Sequence, residues 1–231
     1  MVDFRKYGIE KEKILVYENP LQCEEDIKDF VLEGSAAISF PQGRMRLENK
    51  LSAKEGQKAN YVLWCPEDFP SDIYIEWKFT PIREPGLCIL FFAAKGKDGK
   101  DLFDPSFAKR TGEYVQYHHG EMDGFHVSYF RRKEADERRF HTCNLRKSYG
   151  FHLTAQGGDP IPNVSDVTSS YTLSVLKHEK DVYFFIEDLE IFHFHDDGKT
   201  YGPLLQGGKI GFRQLAPLIG EYEDLKVYEI K

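Results

Sequence analysis

The sequence predicts an all-β protein built as a two-sheet antiparallel jelly-roll sandwich, and three observations lead there. Short alternating or apolar segments recur along the 231 residues, punctuated by Gly, Pro, Asn and Asp. Aromatic residues reach 14%, with 18 Phe and 13 Tyr, and such broad side chains suit half-buried pleated surfaces. Helical periodicity is almost absent, and the chain has no internal repeat or low-complexity linker. A single domain over residues 1–231 is expected, because one-core all-β domains of this length are common.

Each element follows from local pattern. KILVYEN forms a strand that Asn19-Pro20 stops, and CEEDIKDFVLEG is a helical turn or, as the better choice, a loop entering a strand. SAAISFPQG and RMRLEN are short alternating pieces, and NYVLWCP ends at Pro66. Ile73, Ile75, Trp77 and Phe79 alternate with Tyr74, Glu76, Lys78 and Thr80, so one face of this strand is core and the other polar. LCILFFAA is apolar on both faces, as in a central strand covered on each side. The stretch from Lys95 to Thr111 has no usable period, and loops this long inside a domain are often functional. Strands resume at EYVQYHH, GFHVSYFRR and SYGFHLTA, then, after the loop GGDPIPNVSDVTSS, at YTLSVLKH. The hairpin FFIEDLEIFHF turns at Glu187-Asp188 and pairs Phe185 with Ile191, and GKIGFRQL and DLKVYEI complete the count at about a dozen strands.

Lys and Arg total 31 against 38 Asp and Glu, a net charge of −7 with no basic block, so nucleic acid is not an expected partner. The run from Leu87 to Ala94 is too short to span a bilayer, and the start MVDFRKYGIEKEK lacks an apolar leader, so no membrane is expected and the cytoplasm is the expected location. Cys23, Cys65, Cys88 and Cys143 are widely spaced and read as reduced, buried thiols.

Polar and titratable groups concentrate between Tyr114 and His152. If Phe125, Val127 and Tyr129 face the core, then His126 and Ser128 project onto the opposite face, with Arg131 and Arg132 at the strand end. Arginine suits uronate recognition because its planar fork meets a carboxylate through two parallel hydrogen bonds. His118 or His126 could move a proton, Arg131, Arg146 or Lys147 could stabilise developing carboxylate charge, and Tyr117 or Tyr129 could protonate a leaving oxygen. That set would support β-elimination on a uronic acid, or hydration, without a metal or cofactor. A glycosidase would need two carboxylates about 5 to 10 Å apart. Glu76 on a strand face and Asp101 or Asp104 in the long loop are the available acids, and no GxSxG elbow is present. His193 and His195 share a strand face before Asp196-Asp197-Gly198, which a hairpin turn explains without a metal.

The segments WCPEDFP, EPGLCILFFAAKG, DLFDPSFAKRTGEY, SYFRRK, CNLRKSYGFHL, DDGKTYGP and GKIGFRQLAP, in this order from about Tyr17 to Tyr228, resemble the YesU family of bacterial proteins of unknown function. The resemblance implies a concanavalin A-like lectin/glucanase or galectin-like sandwich associated with pectin and rhamnogalacturonan utilisation. Its recurring polar positions fall on Asp101, Asp104, Tyr117, His118, Ser128, Tyr129, Arg131, Arg132, Asn144, Arg146, Lys147, His152, Arg213 and Gln214.

The expected function is therefore a cytoplasmic carbohydrate-active protein, leaning to a lyase- or hydratase-like enzyme on short uronate-containing, rhamnogalacturonan-derived oligosaccharides. His118, His126, Tyr117 and Arg131 are the expected catalytic groups. Glu76, Asp104, Ser128, Arg132, Asn144, Arg146, Lys147 and Arg213 are the expected substrate contacts. A non-catalytic galectin-like module that stacks sugars on Trp64, Trp77 or Phe92, or a glycoside hydrolase, stands as the alternative. A sheet edge could also make a homodimer.

Overall fold

The computed structural model describes residues 2–231. Fifteen strands carry the fold: β1 (Lys13–Asn19), β2 (Val31–Gly34), β3 (Ala36–Ser39), β4 (Met45–Asn49), β5 (Tyr61–Trp64), β6 (Ile73–Arg83), β7 (Leu87–Gly96) and β8 (Met122–Tyr129) come first. They are followed by β9 (Thr142–Ser148), β10 (His152–Gly158), β11 (Tyr171–His178), β12 (Asp181–Ile186), β13 (Leu189–His195), β14 (Lys209–Leu215) and β15 (Ile219–Ile230). The only α-helices among the described residues are short, α1 (Val115–His118) and α2 (Ala135–Arg139).

The strands pair antiparallel into two sheets. One runs β10-β9-β8-β7-β14-β5-β2. The other runs β13-β12-β11-β6-β15-β4-β3, and β1 also joins the long β15. Both β4 and β1 fit on the same side of β15 because β4 pairs with its first residues, Ile219 to Tyr222, and β1 with its last, Leu225 to Ile230. The alternation in β6 sends Ile73, Ile75, Trp77 and Phe79 into the inter-sheet core, where they meet Cys88, Leu90 and Phe92 of β7 and Phe125, Val127 and Tyr129 of β8.

Strand β7 explains how the outer face of the first sheet is used. It lies mid-sheet, and its other face, Leu87, Ile89 and Phe91, is buried too. The cover is the chain between β7 and β8, which folds back over the sheet and packs Leu102 and Tyr117 on Val62, Trp64 and Phe91. The aperiodic stretch after Lys95 is thus a lid rather than a free loop.

Three local expectations change. EYVQYHH is not a strand. It forms α1, with its neighbours packed so closely that a Cβ on Gly112 would lie 2.1 Å from the Asn60 carbonyl oxygen, and one on Gly120 equally close to that of Gln116. SYGFHLTA is split: Ser148 ends β9, a turn through Gly150 at φ +95° follows, and β10 starts at His152. In the β12–β13 hairpin a register shift after Phe184 pairs Phe185 with Glu190 and Ile186 with Leu189, not Phe185 with Ile191. In addition, CEEDIK makes one 3-10 turn, Glu24–Ile27, before β2 where a loop is the preferred expectation, and Cys23 at its start is exposed, not buried like Cys65, Cys88 and Cys143.

Candidate functional site

The outer face of the first sheet carries two adjacent rows of side chains that run across all seven strands. Register places Gln156, Asn144, Ser128, Ile89, Arg213, Val62 and Glu33 in one row. Two residues along, or three in β10 across its bulge, Leu153, Arg146, His126, Phe91, Gly211, Trp64 and Val31 form the next. Strand alternation puts both rows on the same face. His126, Ser128, Arg146 and Arg213 therefore share one surface.

The lid covers the half of this face over β14, β5 and β2. Arg110 anchors it through an ion pair to Glu33 at 2.7 Å, and Glu33 also accepts from Trp64 Nε1 at 2.8 Å. Arg213 holds it from below, donating to the Gly112 carbonyl at 2.7 Å. The half over β7, β8 and β9 keeps a cavity of about 120 Å³. Leu87, Ile89 and Leu215 give it apolar surface, and Ser128, Asn144 and Arg146 give it polar surface. Tyr114 of the lid, Phe151 of the β9–β10 turn, and Arg131 and Glu137 beside α2 complete its wall.

Hydrogen bonds fix these groups. Arg131 donates to Thr142 Oγ1 at 2.7 Å and pairs with Glu137 at 2.6 Å. Glu137 is held in turn by the backbone N–H groups of Lys133 and Glu134, so it is committed to the helix start. With its amide turned to satisfy both ends, Asn144 accepts from Arg131 at 3.2 Å. Arg146 lies on the Phe151 ring, 3.7 Å from its centroid, and donates to the Phe151 carbonyl at 2.9 Å. Tyr114 Oη and His126 Nε2 share a hydrogen bond of 2.8 Å, and His126 Nδ1 is buried with no partner.

The charge balance here is unusual for an acidic chain. Arg110, Arg131 and Arg132 each meet a carboxylate. Among the described residues neither Arg146 nor Arg213 has one within 4.0 Å, although Arg213 is fully buried beneath the Tyr114 and Tyr117 rings. Burial lowers the pKa of both guanidiniums. Burial also holds His126 well below the ordinary histidine range, helped by the positive charge of Arg146. His118 is brought down to about 4 by burial and then by His119, Arg213 and Arg146. Tyr114 is pushed up to about 12 by burial, against the pull of the nearby arginines. The site thus offers neutral imidazoles, a neutral phenol and excess positive charge, an environment that favours an anion.

The structure brings together Arg131, Ser128, Asn144 and Arg146 on the cavity wall, with His126 beside them behind Tyr114. His118 is one layer away, edge-on to Tyr114 and against Phe151. The other positions lie elsewhere. Tyr117 belongs to the lid itself and is buried against Trp64 and Phe91 of the sheet. Arg213 is below Tyr114. Arg132 is fully buried in an ion pair with Asp159 and donates to the Ile161 carbonyl. Lys147 points to the opposite face of β9 and pairs with Asp196 at 2.6 Å. Glu76 is on the outer face of the other sheet, accepting from Tyr74 Oη at 3.0 Å. Asp104 shapes the lid, accepting from the Ser106 N–H at 2.8 Å.

Of the remaining positions, Tyr129 and Gln214 serve the interior and Asp101 pairs with Lys209. Trp77 and Phe92 are core and Trp64 is under the lid, so none is open to a sugar ring. His193 and His195 both bond Asp181, and Asp197 accepts from the Lys199 and Thr200 N–H groups in a turn.

Tyr114 and Phe151 were not singled out from sequence. For Tyr114 the signal lies in the spacing: in a helix Tyr114, Tyr117 and His118 stand at i, i+3 and i+4 and so share one face, whereas Phe151 sits in the β9–β10 turn, where no periodicity marks it.

The domain of unknown function DUF1961 matches residues 14–227. The uncharacterized protein YesU of Bacillus subtilis (strain 168) is 50% identical over 219 residues, which cover 95% of this chain and 97% of that one. A crystal structure of a protein of unknown function with galectin-like fold from Bacillus subtilis gives a TM-score of 0.91 at 50% identity, covering 95% of this chain and 98% of that one. At the level of fold alone, a laminarinase from Flavobacterium sp. UMI-01 gives a TM-score of 0.59 at 13% identity, over 93% of this chain and 100% of that one. With the two-sheet architecture and this extent of similarity, the chain belongs to the DUF1961 family and has its galectin-like β-sandwich fold.

Proposed function

We propose that this protein binds an acidic sugar in the cavity beside Tyr114, with a uronate carboxylate seated between Arg146 and Arg131. The observation that carries this is the Arg146 guanidinium, half-buried on the cavity wall with no carboxylate partner in a chain of net charge −7. A guanidinium in that state gains most from a planar anion that takes two of its N–H groups at once. Ser128 and Asn144 supply neutral hydrogen-bonding groups for hydroxyls, and Leu87, Ile89 and Leu215 supply apolar surface for a ring face. A sugar rather than another carboxylate is supported by this mixture and by the laminarinase that shares the fold. Titrating the protein with galacturonate and with galactose tests the assignment. Galacturonate is expected to bind and galactose to bind at least tenfold more weakly; equal affinities would contradict it.

A specific observation also favours chemistry on that sugar: a phenol and an imidazole joined at 2.8 Å at the cavity wall, with the second imidazole nitrogen unpartnered. In a β-elimination the proton on the carbon next to the carboxylate would pass to Tyr114 Oη as the phenol proton moves to His126 Nε2. Tyr114 would then hand a proton to the oxygen departing from the adjacent ring carbon as that C–O bond breaks and a C=C bond forms, and His126 would return the proton to Tyr114. Arg146 and Arg131 would stabilise the enolate-like charge on the carboxylate. Hydrolysis with paired carboxylates has less support, because Glu137 is the one acid on the cavity wall and it is engaged by Arg131. A panel of rhamnogalacturonan oligosaccharides, saturated and unsaturated, followed by ultraviolet absorbance and product mass, separates an enzyme from a binding module. Among the described residues no helix is long and apolar enough to cross a membrane. The wide spacing of the four cysteines, with Cys65, Cys88 and Cys143 buried apart and Cys23 exposed, supports our placing the protein in a reducing compartment.

A further inference from the structure

We propose that Ser71 and Lys177 form a nucleophile–base pair that hydrolyses carboxylic esters, in a cavity separate from the acidic-sugar site. Lys177 ends the inward row of β11, after Leu173 and Val175, and is buried. Its Nζ donates to the Ser71 carbonyl at 3.0 Å and lies 2.9 Å from Ser71 Oγ. Among the described residues no carboxylate lies within 4.0 Å of this Nζ, whereas the equally buried Lys147 is paired with Asp196 at 2.6 Å. An ammonium left without a counter-charge in the interior is costly. Burial lowers the Lys177 pKa, with Lys147 adding to the fall and Asp72 and Asp196 opposing it. A neutral amine can keep one N–H on the Ser71 carbonyl and turn its lone pair to the hydroxyl, as a general base for serine must.

Ser71 is half-buried on the wall of a cavity of about 580 Å³. Phe69, Pro70, Ala93, Pro203, Leu204 and Leu205 make much of that wall apolar, which suits the acyl chain of an ester. The backbone N–H groups of Ser71, Gln206 and Gly207, on the same wall, make no hydrogen bond to other described residues. They are therefore available to a carbonyl oxygen that gains negative charge. Such a pair needs neither a GxSxG turn nor a histidine, since lysine serves as the base for serine on other folds.

In the reaction Lys177 takes the hydroxyl proton as Ser71 Oγ bonds to the ester carbonyl carbon. The tetrahedral adduct collapses with cleavage of the ester C–O bond, and the departing alkoxide takes the proton from Lys177 and leaves as an alcohol. Water then attacks the acyl-serine and gives a proton to Lys177, which passes it to Ser71 Oγ as the carboxylic acid departs.

The test treats the full chain with a fluorophosphonate, which phosphonylates activated serines with loss of fluoride, and follows hydrolysis of p-nitrophenyl butyrate by nitrophenolate absorbance. Peptide mass mapping is expected to place the label on Ser71, and Ser71→Ala to abolish both the label and ester turnover. Lys177→Arg keeps a donor to the Ser71 carbonyl but supplies no base at neutral pH, so both rates should fall by about 100-fold or more while a thermal melt shows the fold intact. A purely structural tie would leave both rates unchanged. No label on Ser71 of the parent, no ester hydrolysis above that of Ser71→Ala, or equal rates in the parent and Lys177→Arg would each overturn the pair. The first two readings use only the parent and Ser71→Ala, so the proposal stays open to refutation if Lys177→Arg does not fold. None of these outcomes bears on the acidic-sugar assignment, which rests on other residues.

Discussion

Replacing Arg146 with Met isolates the charge on which the functional assignment depends. Methionine keeps the unbranched stem along the Phe151 ring and removes the guanidinium. In the free protein the change loses one hydrogen bond to the Phe151 carbonyl, worth about 1 kcal/mol, and a ring contact worth roughly 0.5–1 kcal/mol. Against this, it removes the desolvation of a half-buried cation and its repulsion from Arg131. With no carboxylate abandoned by the substitution, net stability should change by no more than about 1 kcal/mol, a Tm shift of roughly 2–4 °C for a chain of this size. Ligand binding should respond differently. A charge-assisted carboxylate interaction contributes about 1.5–3 kcal/mol, so galacturonate affinity should fall by roughly 10- to 100-fold. Calorimetric titration and a thermal melt on the same sample read both effects. Unchanged galacturonate affinity in R146M, at an unchanged Tm, would refute the reasoning, because it would show that the unpaired guanidinium does not meet the ligand.

Three further outcomes follow from particular contacts. Tyr114→Phe leaves both nitrogens of the buried His126 unpartnered, which should cost about 1–3 kcal/mol and roughly 2–12 °C in Tm; if the protein is an enzyme, turnover should vanish in this variant while galacturonate still binds. Arg132→Met leaves Asp159 buried without its cation, so Tm should drop by roughly 6–20 °C with galacturonate affinity preserved, as melts and titrations at low temperature would show. Finally, His118 and His126 have folded pKa values below the ordinary 6.5, so the unfolded chain binds protons first. Their contribution to stability should be complete above about pH 6.5 and decline as pH falls toward 4. Denaturant titrations across that range should find a shallower decline in His118→Asn than in the parent.

The fold was legible because strand alternation is a local property. β6, β7, β8 and β11 could be read from period two or from an unbroken apolar run, and the antiparallel sandwich follows from many such strands between short turns. The candidate site was legible as a region, from Tyr114 to His152, and less so residue by residue. Adjacent polar residues on a strand face opposite ways, so Arg146 reaches the cavity while Lys147 turns inward to Asp196. Arg131 and Arg132 divide similarly, one on the cavity wall and one in a buried pair with Asp159. Glu76 has the alternation of a site residue but belongs to the other sheet, and sheet membership is fixed by long-range pairing that local pattern does not carry. The lid was hidden for the same reason. Its anchors, Arg110 to Glu33 and Arg213 to Gly112, join positions 77 and 101 residues apart. Once EYVQYHH is taken as strand, Tyr114 loses the helical spacing that would have placed it beside Tyr117 and His118.

The most direct measurement of the central claim is a crystal structure of the protein soaked with a galacturonate disaccharide. The carboxylate is expected in the cavity over Ser128 and Asn144, with two of its contacts to the Arg146 guanidinium and the second ring leading out past Phe151. Sugar bound instead in the larger groove between β2 and the lid segment at Phe103 and Lys109, or on the outer face of the other sheet near Glu76, with the Arg146 cavity empty, would contradict the account.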